Sequence, residues 1–235
     1  MLQVTTKTRT DKTKATFVHV PTSELEMALT RVTSTPFTRR DRVVDKSHTK
    51  MGQLFGEAKT HFTEFLLAED HYIAGERVIP RILVRDQTFA GKQMQVFVGF
   101  YRFVCSNGLI VPVSKDTSTQ LTVSHRMSSK QKLEQLDDAI AAALQHVILA
   151  KDILNEATSI KVDARYIISQ LATFSPKQKE RLTNSLVQAR REDDVTTAFG
   201  LYNHINEWDR RHGRSFAKVT ERDSTMLQAI LSIAA

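Results

Sequence analysis

Gln93-Met-Gln-Val-Phe-Val-Gly-Phe-Tyr-Arg-Phe-Val-Cys105, followed by Ser106-Asn-Gly108 and Leu109-Ile-Val-Pro-Val113, decides the fold. β-Branched and aromatic residues favour a pleated strand. Met94, Val96, Val98, Phe100 and Val104 fall on one face, Phe97, Tyr101, Phe103 and Cys105 on the other. A strand apolar on both faces belongs in the middle of a covered sheet. Asn107 and Gly108 accept positive φ at little cost, so the pattern predicts a reversal there and a hairpin with Arg102 set into its apolar interior.

Outward from the hairpin, the spacing predicts further strands at Arg77–Arg85, Leu109–Val113 and Thr119–His125. Pro80 has no N–H to donate and is expected near a strand end or an edge. Phe17–Val20 is a short strand candidate, and Thr22 or Ser23 is suited to cap a helix through Leu29. Gly52–Asp70, with Leu54, Phe55, Phe62, Phe65 and Leu66, reads as a helix. His61 and His71 there are isolated, as surface or core histidines are.

From Ser128 the period becomes helical. Leu133, Leu136, Ile140, Ala143, Val147, Ala150, Leu154 and Ala157 form a heptad-type seam, suited to a core helix or to a dimerising coiled coil. Further helices are expected over Asp163–Thr173, from Ser175-Pro176 to Arg191, over Val195–Arg211 and over Thr220–Ile233. Ser175, Pro176 and Gln178 make a capping box with proline at the first helical position. The expected class is α+β. An antiparallel hairpin sheet of about four strands fills the front half, packed with a helical C-terminal half. The parts are a flexible arm (1–16), a sheet-bearing part (17–127) with a basic loop (33–50), and a helical part (128–235), forming one composite domain.

The chain has 235 residues, 41% of them hydrophobic, enough for a core. No apolar run approaches the roughly 18 residues that span a bilayer, and the start lacks the apolar core of a secretory signal. One cysteine excludes an internal disulfide and a cysteine-rich zinc site. The cytoplasm of a bacterial host is the expected compartment, with no membrane association. Net charge is +7, of which residues 1–50 supply an excess of five and the other 185 residues two. The basic character therefore lies at the front, and it favours a polyanionic partner or a solvated basic surface.

Phe100-Tyr-Arg102-Phe-Val-Cys105-Ser-Asn107-Gly108-Leu109 resembles the R-x-V-C-x-N-G-L signature of a phage- and plasmid-borne family, the domain of unknown function nine-three-two. His125 fits that family's following histidine. Tyr202-Asn203-His-Ile-Asn206-Glu207-Trp208 resembles its Y-N-A-x-T-E-W/Y helix, with His204 and Asn206 in place of Ala and Thr. The resemblance spans roughly residues 75–215, without the basic front segment. It implies a mobile-element context but no activity. The architecture is also similar to that of phage strand-annealing proteins, an analogy of fold alone.

Several residues are candidates for chemistry. Arg102 cannot deprotonate, so its burial requires partners. Either it pairs with Glu207, Asp116 or carbonyls, or it clamps a phosphate in a groove. Cys105 and His125 offer a nucleophile–base pair only if the strands join them, and no orienting third residue is legible. Asn203 and Glu207, at i and i+4, share a helix face and are placed to lock the helical half onto Arg102 or the Asn107 turn. There is no metal-ligand cluster, no P-loop and no G-x-G-x-x-G, so neither metal nor cofactor is expected. Aromatics beside cations suit single-stranded nucleic acid. Phe37 lies among Arg39, Arg40 and Arg42, ahead of Lys46 and Lys50. Trp208 precedes Arg210, Arg211, His212 and Arg214.

The expectation is a non-enzymatic nucleic-acid-binding protein of a phage or plasmid. Single-stranded DNA is the favoured ligand, bound during recombination or replication, with a homo-oligomer as one candidate form. Its rival is an interaction factor that blocks a host defence protein.

Overall fold

The computed structural model describes residues 4–7, 15–18, 20–45, 59–87, 94–103, 107–110, 121–123, 129–212 and 216–235. The chain divides into two compact units. One comprises Met1–Glu69, Arg81–Phe97 and Gln120–Gln145, the other Asp70–Pro80, Val98–Thr119 and His146–Ala235. The class is α+β, with antiparallel strand pairing in the N-terminal half and helices in the C-terminal half.

In the first unit, β1 (Val4–Lys7) pairs with β2 (Ala15–Val18), where composition predicts an arm. Helix α1 (Thr22–Val32) follows, with Pro21 at its N-cap and no side-chain cap hydrogen bond. Strand β3 (Phe37–Asp45) pairs along its whole length with β4 (Lys59–Leu67), from Phe37↔Leu67 to Asp45↔Lys59. Two expectations fail here, and for one reason. Thr38 to Val43 are all exposed, so β3 lacks the apolar alternation that marks a strand and reads as a polar loop. Its partner β4 buries both faces, with Phe62, Thr63, Phe65, Leu66 and Leu67 all inside. Two-sided burial puts Phe62, Phe65 and Leu66 at helix-like spacings and mimics a helix. Pairing, rather than local periodicity, defines both strands.

Strand β4 pairs in turn with the second half of β6 (Glu76–Gln87), from Thr60↔Gln87 to Leu66↔Arg81. The start of β7 (Met94–Arg102) pairs with β9 (Leu121–Val123). Arg31 of α1 holds Asp137 of α2 (Ser129–Ser159), its Nη2 2.7 Å from Oδ1.

In the second unit, β5 (His71–Ile73) turns tightly through Ala74 and Gly75 into β6. Both turn residues have positive φ, 52° and 79°, as a type I′ hairpin requires. The β5 ladder stops at Val78 and the β4 ladder starts at Arg81, so Pro80 falls between these two ladders in the middle of β6, not at the expected strand end or edge. The end of β7 pairs with β8 (Asn107–Ile110), Arg102 opposite Asn107 and Gly99 opposite Ile110. The hairpin is present, but Asn107 and Gly108 belong to its returning strand. The reversal therefore falls before them. A Cβ on Gly99 would lie 1.7 Å from the Leu109 carbonyl oxygen, so only glycine fits.

The α2 seam is buried as its spacing predicts: Leu136, Ile140, Ala143, Val147, Ala150, Leu154 and Ala157 are all inside. After it come α3 (Ala164–Gln170), capped by Asp163, and α4 (Pro176–Ser185), with the expected Ser175/Gln178 box. A 3-10 turn at Leu186–Gln188 ends α4 sooner than the sequence predicts. Helix α5 (Ala198–Arg211) and α6 (Phe216–Ala234) complete the unit. Among the described residues, seven strands share the sheet that contains β3 to β9. The expectation of about four is low because β3 and β4 are not legible as strands and the three-residue β5 is too short to show a period. No helix of the described residues is long and apolar enough to cross a membrane.

Candidate functional site

Strand β7 delivers Arg102 inward, and among the described residues it is the largest fully buried side chain, 1% exposed. Its Nε and Nη2 each donate to a Glu76 carboxylate oxygen at 2.7 Å. Nη2 also donates to Asp193 Oδ1 at 3.0 Å. The Phe199 ring lies 5.7 Å from the guanidinium carbon. A bidentate carboxylate is the geometry that satisfies a buried guanidinium. Glu76 reaches it because it immediately follows the Ala74-Gly75 turn. Asp193 reaches it from the loop before α5, where Asp194 Oδ1 accepts from the Thr196 N–H at 3.0 Å and fixes the turn. Gly200 lets that loop lie against α5, since a Cβ there would come within 2.0 Å of the Asp194 carbonyl oxygen. Burial pushes the Asp193 carboxyl above its usual range, although Arg102 pulls it down.

Arg102 is thus neutralised by internal acids and is unsuited to clamp a phosphate. Its expected partners are also corrected: they are Glu76 and Asp193, while Glu207 faces other arginines and Asp116 lies outside the described residues. The signal for Asp193 was present in the Asp193-Asp194 pair at a helix junction. Nothing local pointed to Glu76.

Helix α5 carries the second motif, and its residues from Ala198 to Asp209 are all buried. The Tyr202 hydroxyl accepts from the Ile110 N–H at 3.2 Å and lies 2.7 Å from the Ile110 carbonyl oxygen and 2.6 Å from Asp223 Oδ1. Full burial, then Asp223, holds its pKa well above the ordinary tyrosine value, so it stays protonated. Tyr202 therefore fastens α5 to β8 and α6. Asn203 is buried, but neither side-chain atom has a hydrogen-bond partner among the described residues. The expected Asn203 contact with Arg102 or the Asn107 strand is absent there.

Glu207 accepts from Arg190 Nε at 2.8 Å and Nη2 at 2.7 Å, and from Arg211 Nη2. Arg210 Nε donates to Asn206 Oδ1 at 2.9 Å, and its Nη2 is 3.6 Å from Asp223. Trp208 is core, 6% exposed, with the His212 ring stacked on it at 4.4 Å and 23°. It cannot present a face to a base. The exposed surface of this stack belongs to His212.

Glu207, Arg190 and Arg211 lie on the wall of a cavity of about 380 Å³ between α4, the 3-10 turn and α5. Arg181 and Ser185 of α4 line it too, with His204 of α5. Ser185 Oγ lies 2.9 Å from His204 Nε2, which resembles a nucleophile and its base. The proton wiring opposes that role: Oγ donates to the Leu182 carbonyl at 2.7 Å, so the ring N–H donates to Oγ. A general base must accept that proton instead. Burial, and to a lesser degree Arg211, lowers the His204 pKa, which favours the neutral ring. Among the described residues, no group of three or more His, Cys, Asp or Glu is placed to hold a metal.

The remaining predicted residues lie on β3 or outside the described residues. Arg39, Arg40 and Arg42 are exposed on β3. Arg39 Nη1 pairs with Glu26 at 2.6 Å and Nε with Asp41 at 3.0 Å. Strand alternation puts Arg40 and Arg42 together on the opposite face from Arg39. Phe37 packs edge-on against Phe65 at 5.4 Å, which ties its ring to the sheet. Lys46, Lys50, Cys105, His125 and Arg214 lie outside the described residues, as does the side chain of Asn107, while Gly108 is described only as a backbone position of β8.

The family resemblance rests on the Arg102–Leu109 motif, which lies on the β7–β8 hairpin, and on the Tyr202–Trp208 motif, which lies on α5. Residues 33–231 match the family described as Domain of unknown function (DUF932). The chain belongs to that family, and the match includes the basic β3 segment, which the motif-based resemblance leaves out. No curated protein and no solved structure matches the chain.

Proposed function

We propose that this protein binds nucleic acid without catalysing a reaction, with single-stranded DNA as its favoured ligand and a phage or plasmid as its setting. The observation that carries the reading is β3, a strand at the end of the sheet order whose residues 38–43 are all exposed and include three arginines. Arg40 and Arg42 share one face, about 7 Å apart along the strand. Guanidinium groups at this spacing suit successive phosphates of a backbone, and Lys46 and Lys50 follow in sequence. Arg102 and Arg210 leave the proposed surface, because both serve internal carboxylates.

The test is fluorescence anisotropy with labelled single-stranded DNA, duplex DNA and RNA across a salt series. Five neutralised phosphates on a single strand predict a slope of log K against log salt of about −3.5. Replacing Arg40 and Arg42 by Gln removes two contacts and flattens the slope by about 1.4. Salt-independent binding, or a double variant that binds like the native protein, refutes the reading.

The second reading is a protein-interaction factor that inhibits a host defence system. It is favoured by the same strand, since β3 has a neighbour on one side only among the described residues, and an open edge can accept a partner's strand. A pull-down yielding one stoichiometric host protein and no nucleic acid would select it.

A further inference from the structure

We propose that the cavity between α4, the 3-10 turn and α5 binds a phosphomonoester: the 5′-phosphate of a free nucleotide or of a nucleic-acid strand end. The site lies wholly in the second unit, whereas β3 belongs to the first, and its chemistry differs from that of a phosphate backbone.

The cavity wall holds Arg181, Arg190 and Arg211 against a single carboxylate, Glu207. The lining thus carries two positive charges in excess. A phosphomonoester carries about −1.5 to −2 at neutral pH, whereas a backbone diester carries one charge. Glu207 already bridges Arg190 and Arg211, which marks where anionic oxygens are favoured. Arg181 has no hydrogen bond or ion pair among the described residues, and Arg211 is 63% exposed, with only its Nη2 bound to Glu207. These two are the groups a ligand can recruit without dismantling the fold. The side chains of Asn184 and Gln188 add neutral amide donors to the same wall.

Volume and an aromatic surface extend the reading from phosphate to nucleotide. About 380 Å³ falls in the range of small-molecule sites, roughly 300–1,000 Å³. His212 lines the cavity, exposed and fixed by its stack on Trp208. Its Nδ1 lies 2.7 Å from the Trp208 carbonyl oxygen, which orients the ring. A ring held that way offers a flat surface to a base.

The experiment is calorimetric titration of the full chain with adenosine 5′-monophosphate, inorganic phosphate and adenosine, then with 5′-phosphorylated and 5′-hydroxyl oligothymidylate. The monophosphate should bind and adenosine should not. Arg181→Gln, at an exposed position with no partner to lose among the described residues, should weaken the monophosphate about tenfold, the loss of one charge-assisted hydrogen bond. Glu207→Gln removes the competing carboxylate and should strengthen it, with a thermal melt confirming that the variant folds. Preference for the phosphorylated oligonucleotide assigns the site to strand ends. Equal binding of the two oligonucleotides, beside a bound monophosphate, assigns it to free nucleotides. No binding of monophosphate or phosphate at millimolar concentration, or an affinity untouched by Arg181→Gln, overturns the proposal. Monophosphate binding that survives a failure of salt-dependent strand binding, or the reverse, separates this site from the β3 reading.

Discussion

Arg102 and Glu76 meet as a bidentate pair across 26 residues of chain, Nε and Nη2 each 2.7 Å from a carboxylate oxygen. The motif arginine therefore joins the β5–β6 turn, the β7 strand and, through Asp193, the entry to α5. Arg102→Leu would leave buried Asp193 and half-buried Glu76 without their cation. A loss of about 3–5 kcal/mol is expected by urea denaturation. Arg102→Lys should recover little, because an ammonium cannot reproduce the planar fork. A loss under about 1 kcal/mol for Arg102→Leu would contradict this role for the pair.

Asp193 gives the same cluster a pH signature. Its folded pKa lies above the unfolded value of about 3.9. Folding therefore favours the protonated form. Its contribution to stability is fully present below the unfolded pKa and declines as pH rises through the folded one. Asp193→Asn lacks that decline. The stability of Asp193→Asn minus that of the native protein should rise as pH increases above about 4. Denaturation at several pH values measures it, and a difference that falls over this range would reverse the sign of the argument.

Tyr202→Phe removes one oxygen that serves both Ile110 and Asp223. Buried groups left without a partner cost about 1–3 kcal/mol. The Ile110 amide should also exchange faster with solvent, and unchanged exchange there would show that another group replaces the phenol.

Ala74 holds φ 52° in the tight turn before Glu76. The left-handed region costs a side-chain-bearing residue about 1–2 kcal/mol, and Asn tolerates it better. Ala74→Asn should raise stability by about 0.5–1 kcal/mol in chemical denaturation. A destabilised variant would mean that the alanine methyl makes a contact the turn depends on.

The C-terminal half was largely legible. The α2 seam and the Ser175 box are set by neighbours within a helix, so local sequence reports them. Strands β3 and β4 were not legible, because their order comes from each other: one is exposed on both faces, the other buried on both. Phosphate-contacting candidates could be read as basic residues. Which of them are occupied by internal acids could not be read, since Arg102 meets Glu76 and Asp193 only after the chain has folded.

By itself the amino-acid sequence determined the α+β class, the β7 hairpin, the α2 seam and the family, because these depend on local periodicity and on short motifs. Only the tertiary structure decided that Arg102 is a buried structural cation, that Glu207 serves Arg190 and Arg211, and that Arg181 and His204 line one cavity with them. Those facts depend on side chains brought together from distant points of the chain. A guanidinium's role is fixed by the carboxylates within its reach, and reach is a property of the fold.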